Sequence, residues 1–251
     1  MIKNRPLIGI NADYRAAAKG RAASTVLPAG YYDCILTAGG IPLVLPPLVK
    51  EADLDPILEK LDGVVMVGGD DLDPKKMGLG HHPSITLVPE RRESADRLLC
   101  RLTVQRRLPI LAIGLGMQEL NVVQGGGLYQ HLPEDLPKGI PHRDPQGGAH
   151  RHNVEMIKGT EMYKIYGEGE IRVSSYHHQG IRKLAPMFRA AATAPDGLIE
   201  AYEHKDLREW WAIGVQWHPE NDGHISLDTQ LIEAFLTAAS GGRRLGLAKA
   251  G

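Results

Sequence analysis

Short runs of unbroken apolar residues alternate with longer stretches of helical spacing through the first half of the chain. Residues 6–12, 41–45, 64–67 and 109–113 are the apolar runs, and the last two contain no polar side chain. Between them, residues 29–38 read as a helix stopped by Gly39-Gly40, and residues 51–61 repeat Leu54, Ile57, Leu58 and Leu61 at helical spacing. Residues 92–107 carry Leu98, Leu99, Leu102 and Val104 in the same way, and residues 116–123 predict a further helix. Strands without polar alternation are buried on both faces. When each is followed by a helix, the arrangement is a parallel sheet covered on both sides. The pattern therefore predicts an α/β fold, a three-layer flavodoxin-like sandwich with its functional loops at the carboxyl ends of the strands.

The second half has a different rhythm. Residues 152–157, 171–174, 188–194, 198–204 and 211–216 are short strand-like runs separated by turn signals, which predicts an antiparallel extension of a mostly parallel sheet. Residues 225–239 form a closing helix through Leu227, Leu231, Ile232, Phe235 and Leu236. Residues 139–149, rich in Gly and Pro, predict a long ordered loop. With no internal repeat and no linker, residues 1–240 are expected to form one domain, followed by a flexible basic tail over residues 241–251.

Composition narrows the partners more than the fold. Lys and Arg number 29 and Asp and Glu 30, so a net charge of −1 gives no reason to expect nucleic acid or an anionic membrane. No apolar run is long enough to span a bilayer, and the first residues lead straight into a strand without a signal-peptide pattern. The only two cysteines, Cys34 and Cys100, have neither disulfide-framework nor metal spacing, so a reducing cytoplasm is the expected compartment. A homodimer is compatible with this composition.

The candidate chemistry lies in two places. Residues 108–118 read as a buried strand, a sharp turn and a helix start, with small residues, Ala112 and Gly116, two positions either side of Gly114. That spacing suits a nucleophile elbow, whose reactive residue sits in a strained turn beside a helix N-terminus. Far downstream, His218-Pro219-Glu220 follows another apolar strand, and a strand-end His oriented by a carboxylate is the general-base half of a catalytic triad. Each piece alone is more often an ordinary turn. Together they lay out a nucleophilic amide hydrolase, except that the elbow tip is glycine.

Several further motifs follow in order: residues 61–70 ending Gly68-Gly69-Asp70, Asn121 with Gly125-Gly126-Gly127-Leu128-Tyr129-Gln130, Ser175-Tyr176-His177-His178-Gln179, and residues 194–200. With residues 109–118 and 214–220, they resemble the class I glutamine amidotransferase-like superfamily, and within it the γ-glutamyl-γ-aminobutyrate hydrolases of peptidase family C26. The resemblance spans residues 6–236. It implies a Cys-His-Glu triad acting through a γ-glutamyl thioester, with no cofactor. The family pattern Gly-Ile-Cys-(Arg/Leu)-Gly-Met-Gln stands here as Ala112-Ile113-Gly114-Leu115-Gly116-Met117-Gln118. His218 and Glu220 therefore carry over, whereas Gly114 holds the vacant nucleophile position. The resemblance further implies backbone oxyanion donors near Gly69 and at Leu115, and substrate-binding positions at Gln118, His178 and Gln179.

This leaves four readings open. The first is a γ-glutamyl hydrolase or glutamine amidotransferase-like protein, suited to γ-glutamyl amides of small amines or glutamine, with covalent amidase activity lost. The second is a non-catalytic binding or regulatory protein for a small γ-glutamyl or carboxylated ligand. A third is a hydrolase using water activated by His218. The fourth, an introduced replacement of the nucleophile, is weakly opposed by Ala112, which also departs from the family's glycine. Among the eleven histidines, His142, His150 and His152 cluster with Asp144, and His177-His178 lie in a motif. Their spacing does not establish convergent metal geometry, so hydrogen-bonded loop histidines and no metal are expected.

Overall fold

The computed structural model describes residues 5–144, 150–221 and 226–247. The first half contains β1 (Leu7–Asn11), β2 (Asp13–Arg15), β3 (Ser24–Val26), α1 (Ala29–Thr37), β4 (Ile41–Leu45), α2 (Glu51–Leu58) and β5 (Gly63–Met66). After it come α3 (Glu90–Arg106), β6 (Ile110–Ile113), α4 (Leu115–Val123), β7 (Gly127–Tyr129) and α5 (Leu132–Asp135). The remainder is β8 (His150–Met156), α6 (Glu161–Tyr166), β9 (Glu170–Ser175), β10 (Gly180–Lys183), β11 (Phe188–Thr193), β12 (Ile199–His204), β13 (Ala212–Val215) and α7 (Ser226–Leu247).

One sheet of 11 strands, in the order β4-β1-β5-β6-β13-β12-β11-β8-β9 with β10 pairing off β12 and β7 pairing with β10, organises the chain. From β4 to β13 every pairing is parallel. From β13 onward the neighbours alternate in direction. Side-chain alternation along the parallel strands builds two cores. Val65, Leu111, Ile113, Ile213 and Val215 face one core with Tyr31 and Ile35 of α1 and Leu231, Phe235 and Leu236 of α7. Val64, Met66, Ile110 and Ala112 face the other, with Leu54 and Leu58 of α2, Leu99 and Leu102 of α3 and Leu120 of α4. These strands read as unbroken apolar runs because both faces are covered.

Two expectations need correction. Residues 211–216 were assigned to the antiparallel extension, but β13 pairs parallel with β6 and only its other edge is antiparallel, to β12. All four of its residues are buried, the same two-faced signature that marks β5 and β6. The closing helix does not stop at residue 239. It continues to Leu247, through the start of the expected tail. The hairpin β2–β3 was not anticipated, since its residues are polar and largely unburied and give no apolar run. Helix α6 did have a signal: Thr160 caps it by accepting the Tyr163 N–H. Residues 145–149 of the expected long loop, Ile225 at the expected helix start and residues 248–251 of the tail lie outside the described residues. Among the described residues, no helix is long and apolar enough to cross a membrane.

Glu119 on α4 breaks the apolar pattern. It is fully buried, and neither carboxyl oxygen has a hydrogen-bond partner among the described residues. Burial first, and then the nearby Asp96, push its carboxyl well above the ordinary range; Arg97 and Arg92 offset this only in part. The folded chain thus retains a proton that the unfolded chain releases once pH passes the usual glutamate value. Its stabilising effect is complete below that pH and is lost as pH rises toward the folded value. Glu119→Gln removes this loss. In thermal melts, the difference between variant and wild type should be smallest near about pH 4 and grow in the variant's favour toward alkaline pH. A difference independent of pH would show that Glu119 is ionised in the fold.

Candidate active site

Strand β6 ends at Ile113, and the chain reverses into α4 through Gly114 at φ 55° and ψ −114°. Side chains with a Cβ rarely occupy that conformation, whereas glycine adopts it without steric cost. The turn is fixed from both sides. Gly114 N–H donates to the Val215 carbonyl of β13 at 2.9 Å, and its own carbonyl accepts from Gln118 N–H at 3.1 Å. Gly116 packs against β5 so closely that a Cβ there would fall 2.6 Å from the Met66 carbonyl oxygen. The small residue read from the sequence at that position is therefore required by the approach of α4 to the sheet.

Beyond β13 the chain delivers His218 and Glu220 to the same end of the sheet. His218 Nδ1 lies 2.7 Å from Glu220 Oε1, and Glu220 is buried. A carboxylate can only accept, so Nδ1 carries the proton and Nε2 presents its lone pair. That nitrogen faces the elbow: a Cβ built on Gly114 would stand 3.4 Å from both Nε2 and Cε1 of His218 and 3.5 Å from the Gly68 Cα. Tyr176 packs edge-on to the imidazole, with ring centroids 5.9 Å apart. The structure thus brings together Gly114, Leu115, His218, Glu220 and the loop after β5 that carries Gly69.

The N–H groups of Gly69 and Leu115 pair with no described residue, whereas the preceding N–H groups of the loop are already taken. Val67 N–H donates to the Asn11 side chain at 2.7 Å, and Gly68 N–H donates to the Tyr31 hydroxyl oxygen at 3.0 Å. Behind the loop lies Arg92, 1% exposed. It donates to the Gly68 carbonyl at 2.7 Å, pairs with Asp96 and Asp13, and leaves no room for a side chain at Gly69. The sequence reading missed Arg92, Tyr31 and Asn11. Arg92 sits in a charged run, Glu90-Arg91-Arg92-Glu93, that looks like a solvated helix start. No local signal marks it: Arg92 lies in the first turn of α3, and only the fold brings it to the Gly68 carbonyl, 24 residues earlier in the chain.

The other predicted positions are placed differently. Gln118 is buried, and its amide donates to the Gln216 side chain at 3.1 Å and to the Gln179 carbonyl at 3.4 Å. Gln179 is also buried and donates to the Gln130 carbonyl. His178 Nε2 pairs with Asp71 at 3.0 Å, and its ring lines a cavity of about 690 Å³ together with His131, Leu136, Ile140 and His142. Neither thiol stands ready as a substitute nucleophile. Burial and then Glu220 push the Cys34 thiol up to about 12, and burial holds Cys100 well above the ordinary range.

An elbow at the end of a central parallel strand, faced by a His-Glu pair from the neighbouring strand, defines the class I glutamine amidotransferase-like fold. A solved glutamine amidotransferase from Thermotoga maritima shares that fold with a TM-score of 0.58 at 14% identity, over 96% of this chain and 98% of its own. The chain itself belongs to the Peptidase C26 family, whose model matches residues 6–220. It is 37% identical over 248 residues to a gamma-glutamyl-gamma-aminobutyrate hydrolase of Escherichia coli O157:H7, covering 94% of each chain. It is also 33% identical over 219 residues to Protein NtpR of Enterococcus hirae, covering 84% of this chain and 89% of that one.

Because Arg92 is a buried cation with two carboxylate partners, its removal should be costly in a specific way. Arg92→Met is expected to lower the unfolding free energy by about 3–5 kcal/mol in denaturant titrations, since it leaves buried Asp96 without its counter-charge. Adding Asp96→Asn should recover part of that loss. A loss below about 1 kcal/mol would place Arg92 in the range of a solvated surface pair instead.

Proposed function

We propose that this chain retains the ligand-binding and general-base frame of a γ-glutamyl hydrolase but not its covalent chemistry. In this reading Gly114 stands where the family's nucleophilic cysteine belongs, and the protein binds a small γ-glutamyl or carboxylated ligand. The observation that carries it is the Gly114 turn: the backbone has an elbow's conformation, faces His218 Nε2 across 3.4 Å from a Cβ position, and holds no atom that can attack. His218 as base, oriented by Glu220, and the N–H groups of Gly69 and Leu115, unpaired among the described residues, would still suit a carbonyl oxygen of a bound amide. Of the family's substrate-binding positions, His178 faces a cavity, while Gln118 and Gln179 are tied to neighbouring backbone and side chains and act as supports.

A covalent hydrolase passes through an acyl-enzyme, and no thioester can form at a glycine. Catalysis from binding and oxyanion stabilisation alone amounts to about 10³–10⁴ over water in the best-studied serine hydrolase system, a residue of a triad enzyme's full acceleration. The intact His218–Glu220 pair favours one second reading, direct activation of water by His218.

Wild-type protein incubated with γ-glutamyl-γ-aminobutyrate or glutamine is therefore expected to release neither γ-aminobutyrate nor ammonia at an enzymatic rate, while calorimetry detects saturable binding of a γ-glutamyl compound. Turnover at an ordinary hydrolase rate that His218→Asn abolishes would replace this reading with water activation. Absence of both turnover and binding would remove the γ-glutamyl ligand from the proposal.

A further inference from the structure

Three histidines and a glutamate that the site above does not use meet in the interior. His142 comes from the loop after α5, His152 from β8, His177 from the loop after β9 and Glu200 from β12. Nearest donor atoms are 3.1 Å apart for His142 Nδ1 and Glu200 Oε1, 3.1 Å for His142 Nδ1 and His152 Nε2, 3.4 Å for His177 Nε2 and Glu200 Oε1, and 3.7 Å for His152 Nε2 and Glu200 Oε1. All four atoms lie within 4.8 Å of one another. Ligands at the usual zinc–nitrogen distance on a tetrahedron are separated by about 3.3 Å.

The far side of each ring decides what the near side can offer. His142 Nε2 donates to Asp196 Oδ2 at 2.9 Å, His152 Nδ1 to the Asn153 carbonyl at 3.1 Å, and His177 Nδ1 to the Gln179 carbonyl at 2.8 Å. These acceptors carry no proton of their own, so each ring turns an unprotonated nitrogen toward the centre in its neutral form. Three lone pairs and a carboxylate then converge. Glu200 is 0% exposed, and neither of its oxygens, nor His177 Nε2, has a well-directed hydrogen-bond partner among the described residues. Such a grouping needs a positive charge at its centre, either a metal ion or a second proton on His142, which lies between Glu200 and Asp196. A carboxylate and two backbone carbonyls orienting three imidazoles are also the outer partners that metal-bound histidines have. The cavity of about 690 Å³ lined by His142 and His177 gives an ion a path in.

We propose that His142, His152, His177 and Glu200 form a tetrahedral site for a divalent transition-metal ion of the zinc type, pinning the loop after α5 to the sheet. The donor set, three imidazoles and one carboxylate, suits Zn²⁺ and its neighbours rather than the hard cations Mg²⁺ or Ca²⁺. The histidine spacing did not show this, because Glu200 and His177 reach the centre only through strand pairing.

The test uses the full chain, stripped with a chelator and titrated with Zn²⁺ and, separately, Co²⁺. One equivalent of metal should remain after desalting, the Co²⁺ form should show the intense visible bands of tetrahedral coordination, and the melting temperature should rise on loading. X-ray absorption of the Zn²⁺ form should show a nitrogen and oxygen shell with imidazole scattering. Glu200→Gln and His177→Asn should each weaken binding by more than about tenfold, and His81→Ala, outside the cluster, should not. The wild-type stoichiometry and spectrum stand whether or not either variant folds. No stoichiometric metal on wild type would overturn the proposal and leave a shared proton holding the cluster together. A sulfur-containing shell, or binding unchanged in both variants, would place the metal elsewhere and equally overturn it.

Discussion

The hydrogen bond from Gly114 N–H to the Val215 carbonyl joins the two halves of the candidate site. It extends the parallel register of β6 and β13 by one residue past Ile113 and Val215. The elbow and the segment leading to His218 and Glu220 thereby leave the sheet side by side. A slip of one residue would turn each of these strands over and exchange the two cores. Since Val215 and Ile113 belong to one core and Ala112 to the other, burial on both faces fixes the register, and the register fixes the site.

Around that pair the protein places a layer of buried polar groups. Arg92, Asn11 and Tyr31 hold backbone groups of the loop after β5, while Gly69 N–H has no partner among the described residues. Tyr31 is a phenol whose ionisation is pushed far up by burial and then by the nearby Glu220, so it remains a neutral hydrogen-bonding group. The cost of burying Arg92 is offset by Asp96, Asp13 and the Gly68 carbonyl it holds, which fixes the loop after β5.

The parallel strands, their helices and the elbow were legible in the sequence because each leaves a local trace: an unbroken apolar run, a 3.6-residue period, or small residues spaced about a turn. The His218-Pro219-Glu220 pair was legible for the same reason. The parallel pairing of β13 with β6 was not, since the run at residues 212–215 looks the same in either direction. The β2–β3 hairpin lacks apolar residues, and the roles of Arg92 and Tyr31 arise only from contacts with residues far away in sequence. The same holds for Glu200. In sequence it is one acidic residue in a motif, and only the pairing of β12, β11, β8 and β9 brings it to three histidines.

The central claim is that the frame is intact and its nucleophilic side chain is missing, and restoring that side chain tests it most directly. Gly114→Cys puts a Cβ 3.4 Å from His218 Nε2, at a strain cost of about 1–3 kcal/mol for a side chain at positive φ. Intact-protein mass spectrometry after exposure to a glutamine-analogue electrophile is expected to show one adduct on the folded variant, located at residue 114 and slowed by His218→Asn, and none on wild type. A folded Gly114→Cys that stays unlabelled, or a wild type that labels equally at Cys34 or Cys100, would contradict it.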